Sequence, residues 1–119
     1  MIDAQELANR YVAVWMESDP ARRREQIAAL WIPEGEHFVD TREARGYEAL
    51  EARVAGSHEK NVRLGGYRFR AMTNALALRD VVTFGWEMLR GDEVVGSGFE
   101  VLLITPDGRI RTDYQFFLN

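Results

Sequence analysis

The chain has 119 residues, 46% of them hydrophobic, and a formal net charge of −4 at pH 7. This length fits a single domain, 1–119, with a core of its own, and the lack of cysteine excludes disulfides and thiolate metal sites. The acidic balance gives no reason to expect nucleic acid as a partner. No apolar run approaches the roughly 20 residues of a membrane span, and without signal-peptide features we expect the cytoplasm.

Three amphipathic helices are predicted in the first half of the chain. Asp3 is placed to cap the first helix, and Asp19 followed by Pro20 is a typical start for the second. The apolar stripe of the first helix contains Leu7, Tyr11, Val14 and Trp15, and that of the second contains Ile27, Leu30 and Trp31.

Residues 31–40 connect the helical half to a single acid. Pro33 and Gly35 end the helical pattern, and a short strand then runs to Asp40. We expect this strand to deliver the Asp40 carboxylate to a pocket between the helices and the sheet, the alternative being a solvated strand end. A polar loop, 41–45, and a third helix that begins at Gly46 follow.

From residue 67 the hydrophobic period changes from helical to two. Strands are predicted at about 67–76, 82–89, 94–105 and 109–118, and Pro106-Asp107-Gly108 is a strong hairpin signal. Helices followed by strands predict an α+β fold. We expect a cone-shaped roll in which three N-terminal helices pack on a curved, mostly antiparallel sheet and leave a cavity between them.

Several short motifs together resemble one superfamily. They are residues 9–13 in helix one, residues 29–31 with the strand to Asp40, Gly46, residues 84–87 and residues 107–110. In order and spacing they are similar to the nuclear transport factor 2-like superfamily, in its SnoaL-like and ketosteroid-isomerase-like branch. The arginine bias of the chain, in which Lys60 is the only lysine, is typical of GC-rich bacterial genomes.

The resemblance implies a set of catalytic residues. Matched by motif, the general base falls on Asp40, the hydrogen-bond donor on Tyr11 and a protonated acid on Glu100. Strand alternation also predicts an inward side chain for Glu100. Asp113 is the rival to Asp40, because SnoaL-like cyclases have an acid–base Asp in the corresponding late region. A cross-strand ion pair is the alternative role for Asp113.

A larger group of residues is predicted to line the pocket. The predicted ligand-binding residues are Trp15, Trp31, Phe38, Val54, His58, Phe84, Trp86, Asp113 and Phe117. Core filling is the alternative role for the aromatic members, and an interaction with the helix dipole is the alternative for His58. The two histidines and scattered acids show no metal-ligand spacing, so we expect neither a metal nor a cofactor.

The sequence therefore predicts a protein with a pocket for a small, apolar, oxygenated molecule. Cofactor-independent isomerisation, cyclisation or hydration, with Asp40 as acid or base, is the first hypothesis. A noncatalytic ligand-binding or dimerisation module is the alternative. Tyr114 and Phe116 on the outer face of the last strand predict a homodimer.

Overall fold

The structure, a computed structural model, describes residues 2–118. Its helices are α1 (Ala4–Trp15), α2 (Pro20–Leu30) and α3 (Gly46–Ser57), and a π-helix (His58–Leu64) continues α3. Its strands are β1 (Trp31–Val39), β2 (Arg42–Arg45), β3 (Arg68–Ala71), β4 (Leu76–Leu78), β5 (Val81–Arg90), β6 (Glu93–Ile104) and β7 (Ile110–Phe117).

The first two helices begin where the capping residues predict. The Asp3 side chain accepts a hydrogen bond from the Glu6 backbone N–H, at 3.0 Å. The Asp19 side chain accepts one from the Ala21 N–H, also at 3.0 Å, and Pro20 is the first residue of α2. These contacts satisfy N–H groups that have no partner inside the helix.

The strands form one sheet in the order β2-β1-β7-β6-β5-β3, with β4 also paired to β5. The pair β1–β7 is parallel, and the other pairings among the described strands are antiparallel. The helices and the inner face of the sheet share one hydrophobic core. The α+β roll predicted from the sequence is confirmed. No helix within residues 2–118 has the length and hydropathy to cross a membrane.

Three segments differ from their predicted form. Helix α2 ends at Leu30, so Trp31, predicted in its apolar stripe, begins strand β1, which also contains Pro33 and Gly35. The predicted loop, 41–45, contains strand β2, which pairs with β1. The predicted strand 67–76 is divided into β3 and β4, because the intervening chain bonds to β5 through Gly85. The Gly85 N–H donates to Asn74 Oδ1, and its carbonyl accepts from the Met72 N–H. A Cβ at Gly85 would lie 2.8 Å from Met72 Sδ, so the close crossing depends on glycine.

The register of the central strands fixes which side chains face the helices. One inward row contains Phe84, Glu100, Gln115 and Val39, and the next contains Leu102, Asp113 and His37. Directly paired residues point to the same face of a sheet. Polar groups from β1, β6 and β7 therefore lie beside one another beneath α1 and α3.

The alternation along β1 is the reverse of the one expected. His37 and Val39 are buried and point inward, whereas Phe38 lies on the outer face with its ring 5.5 Å from that of Tyr114. Asp40 follows the strand as an exposed residue with φ of 55°. Because the side-chain period of a strand is two, a shift of one residue exchanges the two faces. The predicted delivery of Asp40 to the pocket is therefore wrong, and the turn leaves its carboxylate in solvent.

Candidate active site

A cavity of about 440 Å³ lies between the helices and the inner face of the sheet. Its size is that of a small-molecule site. The sheet side is mostly apolar, with Phe69, Trp86, Met88 and Phe117 in its wall. The side formed by α1, α3 and the π-helix is mixed. The polar end of the cavity is formed by His37 with its two bonded neighbours, Arg53 and Gln115.

Two carboxyl groups are buried behind this polar end and meet at one tyrosine. Tyr11 Oη lies 2.9 Å from Glu100 Oε1 and 2.5 Å from Asp113 Oδ2. Trp86 Nε1 donates to the other Glu100 oxygen at 2.7 Å. Glu100 and Asp113 are fully buried and Tyr11 is 2% exposed. The Tyr11 ring is held by Trp31 and Phe84, whose ring centroids lie 5.6 and 5.3 Å away.

The number of protons in this cluster follows from its geometry. A tyrosine hydroxyl has one hydrogen, so its two contacts with carboxyl oxygens require a second proton on one of the acids. That acid is Glu100, because burial and the nearby Asp113 charge raise the pKa of Glu100 well above its usual value. Glu100 then donates to Tyr11, and Tyr11 donates to the Asp113 carboxylate. Burial and the two acids also raise the pKa of Tyr11, which keeps it a neutral donor.

His37 connects Asp113 to the cavity. Its Nε2 lies 3.0 Å from Gln115 Oε1 and 3.5 Å from Asp113 Oδ2, and its Nδ1 lies 2.9 Å from the Arg53 guanidinium. Arginine has donors only, so Nδ1 must accept and Nε2 must carry the hydrogen. His37 is therefore a neutral imidazole with a defined tautomer, placed between a carboxylate and a guanidinium. His37 and Arg53 both line the cavity.

The charges of this end of the cavity balance across the imidazole. Asp113 Oδ1 is buried without a hydrogen-bond partner among the described residues, so part of the carboxylate remains uncompensated by local donors. Arg53 supplies the opposite charge on the far side of His37. Burial and the neighbouring charge of Arg42 lower the pKa of Arg53. The arrangement places a neutral base between a buried anion and a partly buried cation.

The same residues present a set of metal-ligand atoms. His37, Glu100 and Asp113 each offer one such atom, and these atoms lie within 4.8 Å of one another. Imidazole and carboxylate ligands suit a divalent transition metal. The sequence shows no ligand spacing because these three residues lie far apart along the chain, whereas the fold brings them together. In the present arrangement the Tyr11 hydroxyl occupies the space between the two carboxyl groups and uses one oxygen of each.

The π-helix contributes the mouth of the cavity. Residues 52–53 and 56–57 of α3 and residues 60–61 of the π-helix face the cavity, at the four-residue spacing that keeps side chains on one face of a helix. Lys60 and Asn61 therefore lie on the same side as Arg53. Asn61 Nδ2 donates to Ser57 Oγ at 3.1 Å, which ties the two turns together. Such π segments occur frequently at functional sites.

Half of the residues predicted for the site are found at this cavity. Tyr11, Trp15, Trp86 and Phe117 line it. Glu100 and Asp113 lie directly behind its wall, bonded to Tyr11. The inward orientation predicted for Glu100 from strand alternation is confirmed by its register with Phe84 and its full burial.

The remaining predicted residues lie elsewhere. Trp31, Val54 and Phe84 are core residues outside the cavity lining, because the helices pack over them. Phe38 is on the outer face of the sheet and Asp40 is in the exposed turn. His58 lines a separate hollow together with Arg23. Burial and the Arg23 charge lower the pKa of His58.

Sequence reasoning missed the residues that hold the polar end together. Strand alternation puts His37 on the face opposite to Asp40, so the predicted inward Asp40 implies an outward His37. Counting back from Val39, the last apolar residue of the strand, would have placed His37 inside. Arg53 precedes the core residue Val54, and no local pattern distinguishes it from other helix arginines. Gln115 points inward because it pairs with Glu100 across β6 and β7, and this pairing is not visible in the sequence of β7 alone.

The position of Trp86 depends on a glycine opposite it. A Cβ at Gly98 would lie 2.1 Å from Trp86 Cζ2, so alanine there must displace the indole and break its bond to Glu100. We expect Gly98→Ala to lower the free energy of unfolding by about 1–3 kcal/mol. Gly96→Ala is the control, because its Cβ would meet only Met88 Cβ at 3.9 Å. Urea unfolding followed by tryptophan fluorescence measures both; equal stability of the two variants would contradict the prediction.

Comparison with protein-family models and with curated proteins finds no match. Among solved structures, the chain is similar to a proposed isomerase of the SnoaL-like family from Agrobacterium tumefaciens, with a TM-score of 0.86 and 22% identity over 98% of this chain and 97% of that chain. It is similar to a SnoaL-like protein of unknown function from Burkholderia thailandensis, with a TM-score of 0.70 and 18% identity over 98% and 94% of the chains. A proposed polyketide cyclase from Sinorhizobium meliloti has a TM-score of 0.67 and 11% identity over 96% and 99%. These similarities confirm, at the level of the fold, the resemblance found in the sequence.

Proposed function

We propose that this chain, which has the fold of SnoaL-like and nuclear transport factor 2-like proteins, binds a small, oxygenated, mainly apolar molecule and moves a proton on it. The observation that carries the proposal is the buried chain from Glu100 through Tyr11 and Asp113 to His37, which ends at the cavity wall. Isomerisation, cyclisation and water addition are the reaction classes that such a group serves without a cofactor.

His37 is the proposed acid–base group. Its Nδ1 has a lone pair directed toward Arg53 on the cavity wall, and its Nε2–H is directed toward Gln115 and Asp113. A proton taken from a carbon next to a carbonyl would make His37 an imidazolium, which the Asp113 carboxylate stabilises, and the imidazolium would return the proton to another atom of the substrate. This assignment replaces Asp40 by a His–Asp pair.

Arg53 has a second role in this scheme. Its guanidinium now donates to His37 Nδ1 and so blocks the base. A substrate oxygen that attracts Arg53 would free Nδ1, and the same guanidinium would stabilise negative charge that develops on that oxygen. Binding would therefore expose the base at the place where the developing oxyanion is neutralised.

The test is exchange of carbon-bound hydrogen with solvent deuterium. Cyclic ketones and enones are incubated with the protein in D₂O and followed by NMR, which detects proton transfer even when no net product forms. We expect catalysed exchange next to the carbonyl of at least one compound that binds. Binding without exchange across the whole panel would favour the noncatalytic ligand-binding module.

We also propose a homodimer through the outer face of the sheet. Phe116 and Tyr114 are 53% and 40% exposed there, and they pair across the strands with Phe99 and Val101. Phe38 packs beside Tyr114 on the same face. A contiguous apolar face of this kind is rarely left in water by a monomer.

Phe116→Glu is expected to convert the dimer to a monomer, because it places a charge at the centre of the apolar face. Light scattering at micromolar concentration gives the mass. Leu64→Glu is the control, since Leu64 is 68% exposed on the π-helix, away from the sheet face. A monomeric mass for the unmodified protein would overturn the proposed dimer.

A further inference from the structure

Three cationic side chains line the cavity of this acidic protein. Arg42 comes from β2, Arg53 from α3 and Lys60, the only lysine, from the π-helix. Among the described residues no Asp or Glu lines the same cavity. A net charge of −4 makes this local excess of positive charge a departure from the rest of the molecule.

Among the described residues, none of the three cations has a carboxylate partner of the kind that Arg45, Arg70 and Arg63 have. Arg45 pairs with Glu36 at 2.6 Å, Arg70 with Glu87 at 2.9 Å, and Arg63 with Glu59. Within residues 2–118, Arg42 and Lys60 have no carboxylate within ion-pair distance.

Among the described residues, the Arg53 side chain has a hydrogen bond to His37 Nδ1 alone, which uses one of its five N–H donors. Burial and, after it, the neighbouring Arg42 charge lower the pKa of Arg53. The apolar wall contains Phe69, Trp86 and Met88, and the Trp86 N–H is already bonded to Glu100, so these side chains offer no free polar partner for a charged head group. The cavity lining therefore combines cationic and aromatic side chains.

We infer that the cavity takes an apolar ring compound that carries a carboxylate, with the carboxylate held at the mouth by Arg42, Arg53 and Lys60. The ring body lies against the apolar wall, and guanidinium groups bind carboxylates through paired hydrogen bonds. This inference rests on the proposed function, because it names the substrate class of the same cavity. A ligand carboxylate would give Arg53 a partner other than His37, and this would release His37 Nδ1 to act as the base.

Two probes of equal shape test the charge. 2-Naphthoate and 2-naphthamide have the same ring system, and only the first is an anion at neutral pH. Isothermal titration calorimetry at low salt is expected to show that the naphthoate binds at least about tenfold more tightly than the amide. A concentration of 0.5 M NaCl should reduce this preference because salt screens exposed charges. Equal affinities, tighter binding of the amide, or no binding of either probe would overturn the inference.

Variants connect the preference to these residues. The double variant Arg42→Gln/Lys60→Gln is expected to lose most of the preference for naphthoate and to keep its affinity for naphthamide. Arg10→Gln, an exposed arginine on α1 outside the cavity, removes a charge of the same kind and should leave both affinities unchanged. Loss of both affinities in the double variant, with circular dichroism unchanged, would contradict a role specific to the anion.

The proposed function and the proposed anion site can be overturned independently of each other. A preference for naphthoate without deuterium exchange on any ketone would leave the anion site in place and remove the catalytic function. Exchange on neutral ketones without any preference for naphthoate would do the reverse.

Discussion

Replacement of Asp113 by Asn is expected to lower the rate of catalysed deuterium exchange by roughly a hundredfold to ten-thousandfold. The variant keeps the shape of the side chain and removes the negative charge that faces His37 Nε2. The imidazolium formed during proton transfer then has no counter-ion. The Asn amide also adds donors beside Nε2–H, which disfavours the tautomer that Arg53 now selects. Exchange rates measured by NMR at equal occupancy of ligand give the size of the effect.

Asp40→Asn is the matched control for this prediction. It makes the same chemical change in the exposed turn after β1, outside the cavity lining. We expect Asp40→Asn to catalyse deuterium exchange at the rate of the unmodified protein. Both variants should bind 2-naphthamide as the unmodified protein does, which separates loss of chemistry from loss of the fold. Normal exchange in Asp113→Asn together with loss in Asp40→Asn would restore Asp40 as the base and remove the His–Asp pair.

The unmodified protein is expected to lose stability as pH rises, and Glu100→Gln is expected to abolish this loss. Burial raises the pKa of Glu100, so the native state keeps its proton where the unfolded chain has released it. From about pH 4.5, the usual value for the unfolded group, the native state binds more protons than the unfolded state. Its stability therefore decreases as pH rises toward the native pKa, by up to about 1.4 kcal/mol per pH unit.

Urea unfolding at pH 5, 6, 7 and 8 measures this difference. Gln preserves the acceptor for Trp86 and supplies a donor toward Tyr11 without a charge, so the variant should lack the slope and gain relative stability toward pH 8. Subtracting the two curves removes the contributions of groups present in both proteins. Glu34→Gln, exposed in β1, should follow the unmodified protein. Parallel curves for Glu100→Gln and the unmodified protein would show that Glu100 ionises normally in the native state.

The sequence by itself determined the architecture. Asp3 and Asp19 begin helices because their carboxylates accept from the N–H groups of the first turn. The change from helical period to period two separates the helices from the strands, and alternation along β6 was enough to place Glu100 inside. These are local properties, since each depends on residues a few positions apart.

Only the tertiary structure decided the site. The parallel pairing of β1 with β7 sets His37 beside Asp113, residues 76 positions apart, and the packing of α1 sets Tyr11 on both acids. The alternation of side chains along β1 decided that His37 faces the cavity, and Asp40 lies beyond the strand in a turn. Such choices depend on strand register and helix docking, which are fixed by contacts distant in sequence. The homodimer, the cytoplasmic location and the identity of the ligand stay predictions, and the charge of the cavity wall supplies the physical reason to look first among carboxylates.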